Sequence, residues 1–108
     1  MAISITPENH QAEIKESITP IILDIYATWC GPCQQMEPVL EELEKEFGNI
    51  YKFAKLNVDE AREISIKEYG VTSVPTFVFI KDGVIKSKAT GYMSKEVLHA
   101  KMVSSFAQ

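Results

Sequence analysis

Residues 23–33, Leu23-Asp24-Ile25-Tyr26-Ala27-Thr28-Trp29-Cys30-Gly31-Pro32-Cys33, join an apolar run to a pair of cysteines. The run is rich in branched residues and predicts a buried strand, and Gly31 and Pro32 predict a tight turn after it. Cys30 and Cys33 are the only cysteines among the 108 residues. We therefore expect the two sulfurs to lie together at the end of a strand.

The spacing of these cysteines allows a reversible disulfide if a helix begins at Cys33. Residues three apart on a helix lie on one face with Cβ atoms about 5–6 Å apart, whereas a disulfide requires about 3.5–4.5 Å. A small adjustment therefore opens or closes the bond without refolding.

A position at a helix start also predicts a reactive sulfur, because unpaired N–H groups and the helix dipole favour negative charge there. The thiolate is the nucleophilic form. Pro32 fits the first helical turn, and Gly31 allows the backbone of a partner to approach. We expect Cys30 to be the exposed attacking sulfur and Cys33, one turn further in, to be the buried resolving sulfur.

A zinc half-site is the alternative interpretation of the cysteine pair, but it would need two further ligands. His10 and His99 lie in separate segments without ligand spacing. We expect both histidines to be surface residues and predict no metal site.

Asp24 interrupts the apolar strand between Leu23 and Ile25. An acid at a solvated strand edge is one interpretation. An ionised carboxylate is costly to bury, however, and burial raises its pKa into a range useful for acid–base catalysis. We therefore favour a functional role for Asp24.

The composition is typical of one soluble globular domain over residues 1–108, with 45% hydrophobic and 24% charged residues. The net charge of −4 argues against nucleic acid or an anionic membrane as partner. The N-terminal residues lack the pattern of a signal peptide, and no stretch is long enough to cross a bilayer. We expect a cytoplasmic monomer.

The order of predicted elements indicates an α/β sheet with helices on both faces. Predicted strands cover 2–5, 21–27, 50–58, the end of 71–80, and 84–89. Predicted helices cover 7–16 with Thr6 as cap, 33–47 with a kink at Pro38, a segment from the cap Asp59 to Tyr69, and a last helix capped by Ser94. Early strands should be parallel, and Lys81-Asp82-Gly83 should turn the last two into an antiparallel hairpin.

Helical spacing predicts which side chains of these helices face the core. The predicted core residues are Met36, Val39, Leu40, Leu43, Phe47, Ile64, Ile66, Tyr69, Val97, Leu98, Met102, Val103 and Phe106.

The string Trp29-Cys30-Gly31-Pro32-Cys33 resembles the active-site motif of the thioredoxin family, down to the dipeptide between the cysteines. The resemblance extends over essentially the whole chain. It implies the thioredoxin fold and a protein-disulfide reductase that uses its own Cys30–Cys33 pair in place of a cofactor. A separate thioredoxin reductase-type enzyme would recycle it, with disulfide-containing client proteins as substrates.

The resemblance also implies roles for individual residues. Asp24 would lie beneath the resolving cysteine and take its proton, with Lys55 beside this acid. Pro75 would be a cis-proline facing the cysteines and would leave the backbone of Val74 free to pair with an extended substrate. Gly91 would border the site, and an exposed apolar docking patch around Cys30 would comprise Trp29, Gly31, Pro32, Val74, Pro75, Gly91 and Tyr92.

Three residues depart from the common bacterial pattern of the family: Gln34 replaces a common lysine, Tyr26 a frequent tryptophan, and Tyr92 a small residue. These changes bear on thiolate stability and on the range of partners. Two other functions stay open at this point. One is an oxidase or isomerase of the same fold, and the other is a binding subunit that uses the apolar patch without redox chemistry.

Overall fold

The computed structural model describes residues 2–107 and places a mixed sheet between helices. In chain order the elements are β1 (Ile3–Ser4), a π-helical turn (Gln11–Lys15), β2 (Ile21–Tyr26), α1 (Gly31–Phe47), β3 (Lys52–Asn57), α2 (Arg62–Lys67), β4 (Thr76–Lys81), β5 (Val84–Thr90) and α3 (Lys95–Phe106). None of the helices within residues 2–107 has the length and apolar character needed to span a bilayer.

The strand order is β1-β3-β2-β4-β5. β3 is parallel to both β1 and β2, as predicted for the early strands. The predicted hairpin is also present, and Asp82 and Gly83 have the positive φ angles that a tight β-turn requires. Antiparallel pairing is not confined to this hairpin, because β4 also runs antiparallel to its other neighbour, β2. The crossover rule concerns parallel pairs and leaves this strand direction open.

Two hydrophobic cores lie on opposite faces of the sheet, because alternate residues of a strand point to opposite sides. Ile21, Leu23 and Ile25 of β2 belong to the core that includes Ile14 and Tyr69. The second core contains Ile22 together with side chains of α1 and α3, namely Met36, Leu43, Leu98 and Met102. The alternation therefore turns Asp24, two residues after Ile22, toward the face covered by α1.

The first predicted helix, over 7–16, is shorter and irregular: a turn over residues 7–9 precedes the π-helical segment Gln11–Lys15. Thr6 does cap it: its hydroxyl accepts a hydrogen bond from the Asn9 backbone N–H, and its own N–H donates to the Asn9 side chain. The predicted exposure of His10 is wrong. His10 is buried, and its Nε2 lies 2.7 Å from the Tyr69 hydroxyl.

Several predicted positions in the later elements need correction. Asp59 caps no helix, since α2 begins after Ala61 without a side-chain cap. Ile66 is half-exposed, and β3 begins at Lys52, which leaves Ile50 exposed. α1 starts at Gly31, two residues before the predicted Cys33.

The buried face of α3 differs from the predicted one. Leu98, Met102 and Ser105 are buried, with the i, i+4, i+7 spacing of one helical face. Val97 and Val103 are nearly half-exposed, so their assignment to the core is wrong. Ser105 occupies a core position because its hydroxyl pairs with that of Ser87 on β5. His99 is half-buried and stacks on Phe47, with ring centroids 4.5 Å apart.

Adjacent positions on α3 test this face assignment. Leu98→Ala should lower the free energy of unfolding by about 2–5 kcal/mol, because it leaves a cavity in the core. The matched change Val97→Ala should cost less than about 1 kcal/mol, because that side chain lies near solvent. Urea denaturation measures both, and equal losses would contradict the observed orientation of α3.

Candidate active site

The two cysteines are positioned by the junction between β2 and α1. A turn closed by a hydrogen bond from the Cys30 N–H to the Ala27 carbonyl, 3.3 Å, connects the two elements. Cys30 is the N-cap of α1 and keeps an extended conformation. Cys30 and Cys33 form a disulfide with Cα atoms 5.2 Å apart, and the backbone N–H of Cys33 donates to the Cys30 sulfur at 3.1 Å.

Exposure does not distinguish the two sulfurs. Cys30 is 5% exposed and Cys33 is 4% exposed, so the prediction that Cys30 is exposed is wrong for this disulfide form. The hydrogen bond does distinguish them, because only the Cys30 sulfur accepts a hydrogen bond from a backbone N–H of the first helical turn. Negative charge on Cys30 is therefore stabilised by the N-terminus of α1.

Asp24 is buried and faces α1, as the strand alternation requires. Its Oδ1 has no hydrogen-bond partner among the described residues. Burial raises the pKa of Asp24 to about 7; Lys55 lowers this pKa and Glu37 raises it, both by smaller amounts. Near neutral pH the carboxyl group can therefore both accept and release a proton.

Lys55 lies directly beside Asp24, because the two residues are register partners on the paired strands β3 and β2. Its side chain also reaches over Tyr26, with Nζ 5.6 Å from the ring centroid. Asp24, Lys55 and Cys33 line one pocket of about 640 Å³, which also includes Glu37. No pattern in the sequence indicates that Glu37 lies near Asp24.

The loop before β4 lies against the cysteines. The Val74–Pro75 peptide bond is cis, as predicted. The Val74 carbonyl oxygen lies 3.7 Å from the Cys30 sulfur, and the Pro75 carbonyl accepts a hydrogen bond of 2.9 Å from the Gly91 N–H. Gly91 has φ +88°, a conformation that favours glycine. These contacts connect Val74, Pro75 and Gly91 to the cysteine pair.

The exposed apolar surface is smaller than the predicted patch. Trp29 is 71% exposed and Tyr92 is 56% exposed, and Gly31 and Pro32 are also exposed. Pro75 is buried, whereas Val74 and Gly91 are half-buried, so they supply mainly backbone to this surface.

Two hydrogen bonds around Trp29 were not predicted. The indole Nε1 donates to the Asp59 carboxylate at 2.9 Å, and the Gln34 side-chain amide donates to the Thr28 carbonyl at 2.9 Å. The sequence pattern predicts a helix cap at Asp59, and it marks Gln34 only as a replacement for a lysine that is common in the family. Neither pattern indicates a contact with the Thr28–Trp29 turn.

The geometry of the site is suited to thiol–disulfide exchange. Within residues 2–107, no three His, Cys, Asp or Glu side chains are grouped so as to hold a metal ion. The site instead joins a cysteine pair, a helix N-terminus and a buried acid of raised pKa. A sulfur pair in this setting can exchange electrons with another disulfide.

Comparison with known proteins agrees with this chemistry. Residues 1–104 match the family model described as Thioredoxin. The chain is 41% identical to a thioredoxin of Bacillus subtilis over 96 residues, which cover 89% of each chain. It is 37% identical to a thioredoxin of Rickettsia felis over 98 residues, covering 91% of this chain and 92% of the relative. A thioredoxin of Pseudomonas aeruginosa is 34% identical over 98 residues, or 91% and 90% of the two chains.

The Trp-Cys-Gly-Pro-Cys turn, the mixed sheet with flanking helices and these similarities agree with one another. The redox group is the protein's own cysteine pair. The chain belongs to the thioredoxin family and is a thiol–disulfide oxidoreductase.

Proposed function

We propose that this protein reduces disulfide bonds of client proteins in the cytoplasm, with Cys30 as the attacking sulfur and Cys33 as the resolving sulfur. The hydrogen bond from the Cys33 N–H to the Cys30 sulfur supports this assignment most directly. Once the disulfide is reduced, the same bond stabilises the Cys30 thiolate.

The first step is attack of the Cys30 thiolate on one sulfur of the substrate disulfide. A bond forms between Cys30 and that sulfur, the substrate S–S bond breaks, and the other substrate sulfur leaves as a thiolate. The product is a mixed disulfide between the protein and its substrate.

The second step is attack of Cys33 on Cys30. The Asp24 carboxylate accepts the proton of the Cys33 thiol, and the resulting thiolate forms the Cys30–Cys33 bond while the substrate leaves as its second thiolate. Two electrons have then passed from the protein to the substrate. Both Asp24 and Cys33 line the same pocket, and Lys55 beside Asp24 favours its charged form.

Substrate docking involves the surface around the disulfide. Trp29, Gly31, Pro32 and Tyr92 offer exposed contacts, and the backbone of Val74 pairs with an extended segment of the client, next to Pro75 and Gly91. The oxidised protein is then reduced by a thioredoxin reductase-type electron donor. This donor supplies the two electrons that each cycle consumes.

Replacement of the resolving cysteine should trap the intermediate. With Cys33→Ser, the mixed disulfide forms at Cys30 but cannot be resolved, so covalent adducts with disulfide-containing proteins should accumulate. Non-reducing electrophoresis and mass spectrometry measure these adducts.

The control is Cys30→Ser, which removes the attacking sulfur and should form few adducts. If Cys33→Ser forms none while Cys30 still reacts with iodoacetamide, Cys33 is not the resolving sulfur. If Cys30→Ser traps clients equally well, the two roles are reversed.

The pH dependence of resolution should follow the ionisation of Asp24. The rate should rise as pH increases through about 7, because the carboxylate must be charged to accept a proton. Asp24→Asn should slow resolution at neutral pH by about tenfold or more and remove this rise. Stopped-flow reaction with a chromogenic aryl disulfide measures the rate of resolution, because the second equivalent of aryl thiolate is released only when Cys33 resolves the mixed disulfide.

Protein stability provides a second readout of the same substitution. The pKa of Asp24 in the folded state, about 7, exceeds its ordinary value of 3.8. The folded state therefore holds more protons between these values, and wild-type stability falls as pH rises from 4 to 7. Asp24→Asn should remove this pH-dependent loss of stability. Above pH 7 its free energy of unfolding should therefore exceed that of the wild type by up to about 4 kcal/mol. Resolution unchanged in a stabilised variant would exclude Asp24 as the proton acceptor.

A further inference from the structure

The single tryptophan of the chain lies in a turn that is fixed from two directions. Trp29 and Thr28 are the central residues of the turn closed by Cys30 and Ala27. The Asp59 carboxylate accepts a hydrogen bond of 2.9 Å from the Trp29 indole Nε1–H. Asp59 is itself oriented by a hydrogen bond from its backbone N–H to the Asn57 side chain. This first contact fixes the end of the side chain.

The second contact fixes the backbone. Gln34 is the fourth residue of α1, and its side chain reaches back to the Thr28 carbonyl, six residues earlier. That carbonyl belongs to the peptide unit that ends at the nitrogen of Trp29. The hydrogen bond therefore fixes the orientation of the peptide plane directly before the indole-bearing residue.

The backbone of Gln34 makes the position of its side chain well defined. Its N–H donates to the Cys30 carbonyl at 3.2 Å, which closes the first turn of α1. The amide side chain thus begins from an ordered helical residue and ends on the turn. Because the indole is 71% exposed, packing alone does little to hold it.

We propose that Gln34 is a positioning residue for substrate recognition. Its hydrogen bond to Thr28, together with the Asp59 contact, presents the Trp29 indole to client proteins in one orientation. Preorganisation of an exposed aromatic side chain lowers the entropy lost on binding. The inference rests on the proposed docking role of Trp29.

The side chain next to Gln34 offers a matched control. Gln35 has the same chemistry and is also exposed on α1, and within the described residues its side chain makes no hydrogen bond. Gln34→Ala and Gln35→Ala thus remove the same atoms from the same helix, but only the first removes a contact with the Thr28–Trp29 turn. Neither change alters the charge near the cysteines.

Time-resolved fluorescence anisotropy can follow Trp29 without interference from other tryptophans. In Gln34→Ala the fast component of the decay should grow, which reports a more mobile indole. In Gln35→Ala the decay should equal that of the wild type. An unchanged decay in Gln34→Ala, or the same change in both variants, would overturn the positioning role.

Steady-state kinetics test whether the fixed orientation of the Trp29 indole contributes to substrate binding. Insulin serves as the disulfide substrate and dithiothreitol as the electron donor. Gln34→Ala should raise KM by about two- to tenfold with kcat unchanged, the effect of one lost neutral hydrogen bond on binding. The pH dependence of Cys30 alkylation should match that of the wild type. Unchanged KM, or a shifted alkylation profile, would contradict an action through the indole.

Trp29→Ala separates the docking role of the indole from the positioning role of Gln34. If it raises KM while Gln34→Ala does not, docking by the indole stands and the role of Gln34 is wrong. If Trp29→Ala leaves KM unchanged, the docking role proposed for Trp29 fails, and the positioning of substrate by Gln34 fails with it. The anisotropy of Gln34→Ala still reports whether the hydrogen bond orders the turn.

Discussion

The hydrogen bond from the Cys33 N–H to the Cys30 sulfur joins the fold to the chemistry. It exists because β2 ends in a short turn that leaves Cys30 as the N-cap of α1. A helix start offers free N–H groups, and here a sulfur occupies the position in which a hydroxyl or carboxylate oxygen usually caps a helix. The strand, the turn and the helix together place one sulfur where negative charge is stabilised.

The burial of Asp24 is unfavourable, in contrast to the stabilising hydrogen bond at Cys30, since a carboxyl group with an unpaired oxygen is costly to bury. The fold accepts this cost at the centre of β2, where the alternation of the strand turns the acid toward α1 and Cys33. Lys55 on β3 moderates the effect of burial on the pKa without cancelling it. The resulting acid changes charge near neutral pH, as expected for a group that accepts a thiol proton in one step and releases it later.

Much of this arrangement was predictable from sequence because it follows from local patterns. The strand–turn–helix order around the cysteines, the buried acid and the final hairpin were predicted from such patterns, whereas the cis bond before Pro75 was predicted from the family resemblance. The mistaken positions depend on tertiary contacts. His10 is buried because Tyr69, far along the chain, supplies a hydroxyl partner. On α3, Ser105 takes a buried position where its hydroxyl pairs with that of Ser87, whereas Val97 lies near solvent. Asp59 and Gln34 contact the Trp29 turn across gaps that no helical or strand period encodes.

The central claim is that the Cys30–Cys33 pair works as a reductant. The reduction potential of this pair, measured by equilibration with glutathione and dithiothreitol buffers, tests the claim most directly. Thioredoxins lie at about −270 mV, whereas a strong disulfide donor of related chemistry lies at about −120 mV. We expect a value near the first figure. A value near the second would mean that the protein donates disulfides, which would reverse the direction of the chemistry and contradict a role in a reducing compartment.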